Sequence, residues 1–157
     1  MDLDQQIQAL IDSAPEDGVT PAMMATIAPV IKTVAAQLGH PQYYLLQTLD
    51  DGWLMTTLNY RAQPDAEKNV IYAYPTLEDA QMGSQAARNP QITALPVPVT
   101  HILFQMLAMK VIHSIIFFQT SNNLQDAIEV PRERLQQLIK QYVQNIRSQS
   151  QPPSDLA

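Results

Sequence analysis

Residues 43–60 constrain the fold of this chain more than any other part of its sequence. Two runs rich in Leu, Tyr and Thr flank Asp51-Gly52, a pair that favours a two-residue type I′ turn because both central positions need positive φ. The segment therefore predicts a β-hairpin in which Asp50 lies opposite Trp53 and the leucines of the two strands face each other.

The two faces of this predicted hairpin differ in composition, because side chains alternate between faces along a strand. One face, typical of a protein core, carries Leu45, Leu49, Leu54 and Leu58, with Gln47 and Thr56 between them. The other face carries Tyr44, Leu46, Thr48, Trp53, Met55 and Thr57. Aromatic residues and Met are enriched where proteins meet their partners, so the second face is a candidate binding surface. The alternative is that a helix of the same chain covers it, as is usual for mixed sheets.

Neighbouring residues extend this candidate surface. Tyr60 and Arg61 follow the hairpin, and Tyr72 and Tyr74 lie two positions apart in a third predicted strand and so share a face. The predicted partner-binding residues are Tyr44, Trp53, Met55, Tyr60, Arg61, Tyr72 and Tyr74. Tyr, Trp and Arg are the usual anchors of protein interfaces. Alternatively, Tyr72 and Tyr74 are half-buried strand residues with their hydroxyls in water.

Hydrophobic periodicity and helix-capping signals divide the rest of the chain. We predict, in order, two helices within residues 1–39, a strand at 69–74, a helix at 77–87, a strand at 92–95, an apolar helix at 98–110, a strand at 113–118, a loop at 120–129 and an amphipathic helix from 130 to 147. Asp2 and Thr76 are the predicted N-caps of the first and third helices. Pro29 predicts a kink or a restart in the second helix.

This order predicts an α+β fold with a five-stranded mixed sheet, in which the hairpin and the third strand are followed by two βα units. We expect one domain over residues 1–147, with a helical N-terminal extension at 1–39 and a sheet-containing core at 42–147. Residues 148–157 contain Pro152-Pro153 and are predicted to be a disordered tail.

Composition excludes several classes of function. The chain has 157 residues and no cysteine, which excludes disulfides, cysteine–zinc sites, iron–sulfur clusters and thiol nucleophiles. Its net charge is −6, with eleven acids and three bases in residues 1–80, so we expect no nucleic-acid binding. The acidic start Met1-Asp2-Leu3-Asp4 predicts no signal peptide, and no apolar run is long enough to span a membrane. We expect a cytoplasmic protein.

No residue pattern points to catalysis. His40, His101 and His113 lack metal-ligand spacing, and the four glycines are isolated, so a phosphate-binding loop is not expected. Asp50-Asp51 is better explained as turn chemistry, and Glu78-Asp79 as first-turn charges on a helix. We therefore predict no enzyme, no cofactor and no metal site. A hydrolase using His101 or His113 with a carboxylate ranks last among the hypotheses.

Asn69–Tyr74 followed by Pro75-Thr76-Leu77-Glu78-Asp79-Ala80 resembles the enhanced-serine-sensitivity (SseB-like) family of small α/β proteins. There too a strand enters a Thr- or Ser-capped helix, followed by a short strand, a helix and an apolar strand. The resemblance covers residues 43–118 and implies a non-enzymatic interaction role without catalytic residues to transfer. In size and in its glutamine-rich, lysine-poor composition, the chain also resembles small cyanobacterial or plastid assembly factors.

The leading hypothesis is a non-enzymatic adaptor or assembly chaperone that binds a segment of another protein through the aromatic face or an adjoining groove between sheet and helix. The alternative is a small-molecule sensor with a pocket between the sheet and the 98–110 helix. The final helix carries Arg132, Arg134, Lys140 and Arg147 against Glu133, so it can meet an acidic partner or remain a solvated face. A homodimer is also compatible with the opposite charges of the two halves of the chain.

Overall fold

The computed structural model describes residues 2–14, 20–48, 52–60, 63–82 and 91–150, with residues 20, 59, 60, 63–66 and 148–150 described by their backbone only. Its elements, in chain order, are α1 (Leu3–Ser13), α2 (Thr20–Gln37), β1 (Gln42–Gln47), β2 (Thr56–Tyr60), β3 (Gln63–Ala73), α3 (Leu77–Met82), β4 (Thr93–Pro98), α4 (Val99–Ala108), β5 (Ser114–Thr120), β6 (Asn123–Pro131) and α5 (Arg132–Ser150).

The strands form two sheets. The main sheet has the order β2-β3-β5-β6, in which β3 and β5 are parallel and the other pairs are antiparallel. The smaller sheet is the antiparallel pair of β1 and β4. The predicted α+β class with mixed strand directions is therefore confirmed, whereas the predicted single five-stranded sheet is wrong.

The predicted hairpin of residues 43–60 is also corrected. β1 pairs with β4 and β2 pairs with β3, so the two halves of the segment belong to different sheets. Gln47, instead of Asp50, forms a bridge with Trp53, and Leu54 N donates to Leu46 O at 2.8 Å. A turn signal favours a local reversal of the chain, but burial decides which strands pair beyond it. Asp50 and Asp51 lie outside the described residues.

A pair of main-chain hydrogen bonds connects the two sheets. Tyr44 N donates to Tyr74 O at 2.7 Å, and Tyr74 N donates to Tyr44 O at 3.0 Å. This isolated antiparallel bridge lies just beyond the end of β3. It brings β1 against the end of the main sheet. The two faces of β1 therefore point to different hydrophobic clusters, which are described below.

The strand β6 replaces the loop predicted at 120–129. It returns from β5 through Ser121 and Asn122, and Asn122 has a φ of 61°, a left-handed conformation that Asn tolerates better than most residues. Residues 123–129 are all exposed. Apolar and polar residues alternate at the end of the strand, in Ile128-Glu129-Val130, and this signal covers too few residues to predict the strand.

The main core lies between one face of the main sheet and the helices α2, α4 and α5. Its fully buried side chains include Ile31, Tyr43, Leu45, Ile71, Ile102, Leu103, Met106, Ile115, Phe117 and Leu135. The continuously apolar run in β5 thus forms a central buried strand, as predicted. A second and smaller aromatic cluster on the other face contains the buried Leu46, Tyr74, Ala80 and Phe118.

Helix boundaries follow their capping residues. Asp2 and Gln5 form a reciprocal capping box at the start of α1, and Asp79 N donates to Thr76 Oγ1 at 3.1 Å at the start of α3, so both predicted caps are confirmed. α2 runs through Pro29 without a restart. α5 continues to Ser150, three residues into the predicted tail, the rest of which lies outside the described residues. In the described part of the chain, no helix is both long and apolar enough to cross a bilayer.

Candidate functional site

Three of the predicted binding residues meet in the aromatic cluster. Tyr72 and Tyr74 stack on Phe118, with ring centroids 5.7 and 5.3 Å apart, and Tyr44 packs beside them. Tyr74 is only 4% exposed, and burial together with the neighbouring Tyr72 raises the pKa of its hydroxyl. Ala80 of α3 is fully buried in the same cluster, so a helix of the chain itself covers this part of the face.

The other predicted residues lie elsewhere. Trp53 packs against the main core, on the opposite side from the three tyrosines. Met55 is 40% exposed and is the most accessible of the predicted residues whose side chains are described. The side chain of Tyr60 and all of Arg61 lie outside the described residues. The structure therefore places Trp53 in one cluster and the three tyrosines in another, and Met55 belongs to neither.

A different concave surface lies between α2 and α5, and we call it the α2–α5 groove. It has a volume of about 540 Å³. Its lining residues are Pro29, Val30, Thr33, Val34 and Gln37 of α2, Ile128, Glu129 and Val130 of β6, and Arg134, Leu135, Leu138, Gln141, Tyr142 and Asn145 of α5. The α2, β6 and α5 segments are separated by up to about a hundred residues in the chain, and packing on the main core brings them together.

The groove has an apolar floor and a polar rim. Val30, Val34, Val130 and Leu135 are buried at its base, and their side chains belong to the main core. Exposed polar side chains surround this floor, namely Thr33, Gln37, Glu129, Arg134, Gln141 and Asn145. This arrangement of an apolar centre within a polar border is typical of surfaces at which proteins bind other proteins.

An outer strand of the main sheet borders this groove. β6 is an outer strand of the sheet, and Ile128, Glu129 and Val130 all line the groove. Ile128 and Val130 lie opposite Phe117 and Ile115 on the helix-covered face, whereas Glu129 lies opposite Ile116 on the other face. Because consecutive side chains point to opposite faces, a groove lined by all three residues borders the strand itself and not only the side chains of one face.

The two charged residues of the groove differ in their partners. The carboxylate of Glu129 forms an ion pair with Lys68. Burial by itself raises the pKa of Glu129, but the hydrogen bond from Lys68 and the positive charge of Lys68 act in the opposite direction, and the pKa is lowered. Arg134 is exposed, and within the described ranges it has no ion-pair partner. The groove therefore presents one uncompensated cation.

The three histidines occupy separate structural positions. His40 Nε2 donates to Gln119 O at 2.7 Å, and His101 Nε2 donates to Gln6 O at 3.3 Å. His113 Nδ1 accepts from Asn69 N at 2.9 Å. Among the described residues, no three His, Asp or Glu side chains lie close enough together to hold a metal ion.

Sequence reasoning did not find the α2–α5 groove. The available signals were the bases of the last helix and the apolar residues Leu135, Leu138 and Tyr142 on one of its faces. They indicated that the last helix could bind a partner, but they did not indicate which elements form the opposite wall of the groove. A ligand pocket was predicted between the sheet and the 98–110 helix. In the structure, Ile102, Leu103 and Met106 of α4 occupy this position and are fully buried in the main core.

Comparison with known proteins gives no family model, no curated protein and no solved structure that matches this chain.

Proposed function

We propose that this chain is a non-enzymatic protein-interaction module, an adaptor or assembly chaperone, that holds a segment of another protein in the α2–α5 groove. The observation that carries the proposal is the meeting of an apolar floor, a polar rim and an outer strand edge on one surface. The apolar floor supplies affinity through burial, and the polar rim and the strand edge supply hydrogen bonds that fix the position of the segment.

The groove is a stronger candidate than the aromatic face predicted from the sequence. Tyr74 is buried and Trp53 packs on the main core, so neither offers much area to a partner. Tyr72 is half-buried and Met55 is exposed, and these two residues keep the aromatic face open as a second location for the same function.

A matched pair of glutamines on α5 tests the location. Gln141 lines the groove, whereas Gln144 is exposed on the same helix outside the groove. We expect Gln141→Arg to block the groove with a long charged side chain, and Gln144→Arg to leave it open. Affinity purification from the native organism with wild type and both variants, followed by mass spectrometry, measures the effect.

The proposal requires a protein that is recovered with wild type and Gln144→Arg but lost with Gln141→Arg. Met55→Lys and Tyr72→Ala serve as the comparison for the aromatic face. If the partner is lost with Met55→Lys and Tyr72→Ala but retained with Gln141→Arg, the binding site lies on the aromatic face. Recovery that none of the four substitutions changes would reject both locations. Circular dichroism of each variant establishes that it folds.

The second candidate function is a small-molecule sensor that uses the same groove. Its volume of about 540 Å³ falls within the range of about 300–1,000 Å³ that small-ligand sites occupy. Thermal-shift screening with a panel of metabolites tests this function, because a bound ligand raises the melting temperature by mass action. A genuine ligand of the groove should stabilise Gln144→Arg and fail to stabilise Gln141→Arg, and a panel without any shift would reject the sensor.

A further inference from the structure

We infer that the partner segment binds as an added β-strand on β6, with one of its carboxylates at Arg134. This inference rests on the proposed function and specifies the chemistry of the partner: an extended segment that alternates apolar side chains and contains Asp or Glu. Three features of the described residues lead to it.

The first feature is the main-chain edge of β6. Residues 123–129 are exposed along an outer strand of the main sheet, and residues 128–130 of the same strand line the groove. The outward-facing N–H and C=O groups of such a strand are a template for another extended chain. A bound helix satisfies its main-chain groups internally and cannot pair with the main chain of β6, so the outer strand favours an extended occupant.

The second feature is the position of the apolar floor relative to that edge. A strand paired with β6 points alternate side chains to the face on which Ile128 and Val130 lie. On that face the side chains of the added strand enter the groove, which Val34 of α2 and Leu138 of α5 line. The intervening side chains point to the face of Glu129. The geometry therefore selects apolar residues at every second position of the partner segment.

The third feature is the positive charge of Arg134 in the lining of the groove. Four bases and one acid lie on α5, although the whole chain has a net charge of −6. Arg134 lies in the first turn of this helix, where the helix dipole disfavours a cation, and within the described residues it pairs with no carboxylate. A carboxylate of the partner compensates this charge.

A second copy of the chain that paired through its own β6 would fit this groove less well than a different protein. The acids of β6 are Asp126 and Glu129, and both already have partners. Asp126 accepts a hydrogen bond from Thr120 at 2.5 Å, and Glu129 pairs with Lys68. Two copies of β6 side by side would therefore bring four acids together, and β6 of the second copy would offer Arg134 no free carboxylate.

Selection from a displayed library of random nine-residue peptides tests the inference. Wild-type protein is the target, and Gln141→Arg is used to remove peptides that bind outside the groove. The best peptide is then synthesised unmodified, with its acidic residue replaced by the corresponding amide, and with single N-methyl groups at successive main-chain positions. Fluorescence anisotropy measures the affinity of wild type, Arg134→Gln and Lys140→Gln for each form. Lys140 is exposed on α5 outside the groove and is the control.

The expected peptides alternate apolar residues and contain Asp or Glu. Replacement of the carboxylate should weaken binding to wild type and Lys140→Gln by about tenfold, and should have little effect on the weaker binding to Arg134→Gln. N-methylation should weaken binding by about fivefold at alternate positions only, because only every second N–H of an added strand faces β6.

Other results overturn the inference in distinguishable ways. Groove-dependent peptides that tolerate N-methylation at every position, or that bind equally well without their carboxylate, would reject strand addition and leave the proposed function intact. A library without any peptide sensitive to Gln141→Arg would reject both. Sedimentation of a wild-type dimer that Gln141→Arg dissociates would make a second copy the occupant and would also overturn the inference.

Discussion

At the scale of single residues, Gln119 joins three parts of the fold. Its Oε1 accepts from Gly39 N at 2.6 Å, and its Nε2 donates to Tyr43 Oη at 2.9 Å and to Phe117 O at 3.0 Å. Gly39 follows α2, Tyr43 belongs to β1, and Gln119 belongs to β5. A single amide therefore holds the end of a helix and a strand of the smaller sheet against the main sheet.

We predict that Gly39→Ala destabilises the protein through Gln119. A methyl group at Gly39 would lie 2.6 Å from Gln119 Oε1, so the amide must move and lose hydrogen bonds, at a cost of about 1–3 kcal/mol. Urea unfolding of both single variants and the double variant with Gln119→Ala measures the coupling. In the Gln119→Ala background the same substitution should be neutral or stabilising by about 0.5 kcal/mol. Equal losses in both backgrounds would contradict this mechanism.

A second prediction at this scale concerns the pH dependence of stability. Burial lowers the pKa of His101 below its usual 6.5, although the contact with the Gln6 carbonyl opposes the shift. The unfolded chain therefore binds a proton more readily than the folded protein, and the stability contributed by neutral His101 is lost as pH falls below about 6.5. Urea unfolding between pH 8 and pH 5 should show a smaller loss for His101→Gln than for wild type. An equal loss of stability between pH 8 and pH 5 in both proteins would contradict the prediction.

At the scale of elements, α4 is capped at both ends by residues from other helices. Its N-cap residue Pro98 offers no side-chain acceptor, and Gln6 Oε1 of α1 accepts from Thr100 N at 3.2 Å and from Thr100 Oγ1 at 2.8 Å. At the other end, Arg132 of α5 donates to Met106 O at 3.1 Å and to Leu107 O at 2.7 Å. These contacts satisfy main-chain groups that a helix leaves unpaired at its ends.

We predict that Gln6→Ala loosens α1 from the rest of the fold. Gln6 is 2% exposed and its Nε2 also donates to Pro41 O at 2.8 Å, so truncation leaves several buried groups without partners and costs about 2–4 kcal/mol. Urea unfolding and amide hydrogen exchange of α1 measure the loss. The control is Gln8→Ala on the exposed side of the same helix, for which we expect a change below about 0.5 kcal/mol. Similar losses for both variants would show that the buried bonds are not the cause.

Two arginines of α5 should differ in their effect on stability, because one serves the fold and the other lines the proposed binding groove. Arg132 caps α4, whereas Arg134 is exposed in the α2–α5 groove. We expect Arg132→Gln to lower the free energy of unfolding by about 1–3 kcal/mol, because charged hydrogen bonds to the carbonyls are lost, and Arg134→Gln to change it by less than about 0.5 kcal/mol. Thermal denaturation of both variants tests this difference. A large loss for Arg134→Gln would mean that its charge serves the fold.

At the scale of the whole molecule, β1 couples the two hydrophobic clusters. Tyr43 and Leu45 lie in the main core, and Tyr44 and Leu46 lie in the aromatic cluster. Since alternate residues of one strand contribute to both clusters, neither cluster can lose its packing without disturbing the strand that they share. The two sheets should therefore unfold in one transition.

We predict that a substitution in the aromatic cluster destabilises the main core. Leu46→Ala removes a side chain that is 5% exposed and should cost about 2–4 kcal/mol. Trp53 is the sole tryptophan and packs on the main core, so its fluorescence reports on that core. The urea midpoint measured by this fluorescence should fall for Leu46→Ala and barely change for Leu95→Ala, whose side chain is 39% exposed. An unchanged midpoint for Leu46→Ala would indicate two independent units.

The sequence by itself determined the elements that have local signals. The caps at Asp2 and Thr76, the apolar run of β5 and the amphipathic final helix were all predicted from residues within a few positions of one another. Such signals act through hydrogen bonds and side-chain periodicity inside a single element. They also predicted the α+β class, because that class depends on which elements exist and in what order.

Only the tertiary structure decided how these elements pair. Tyr44, Tyr72 and Tyr74 share a cluster, but Trp53 does not join them, because it lies opposite Gln47 and therefore on the face of Tyr43 and Leu45. The strand β6 has no buried face of its own over residues 123–129, and its structure depends on the neighbouring β5. The α2–α5 groove likewise exists only because distant segments pack on one core. Strand pairing and helix packing depend on the free energies of all the alternative arrangements that the whole chain can adopt. A short stretch of sequence does not determine which arrangement has the lowest free energy.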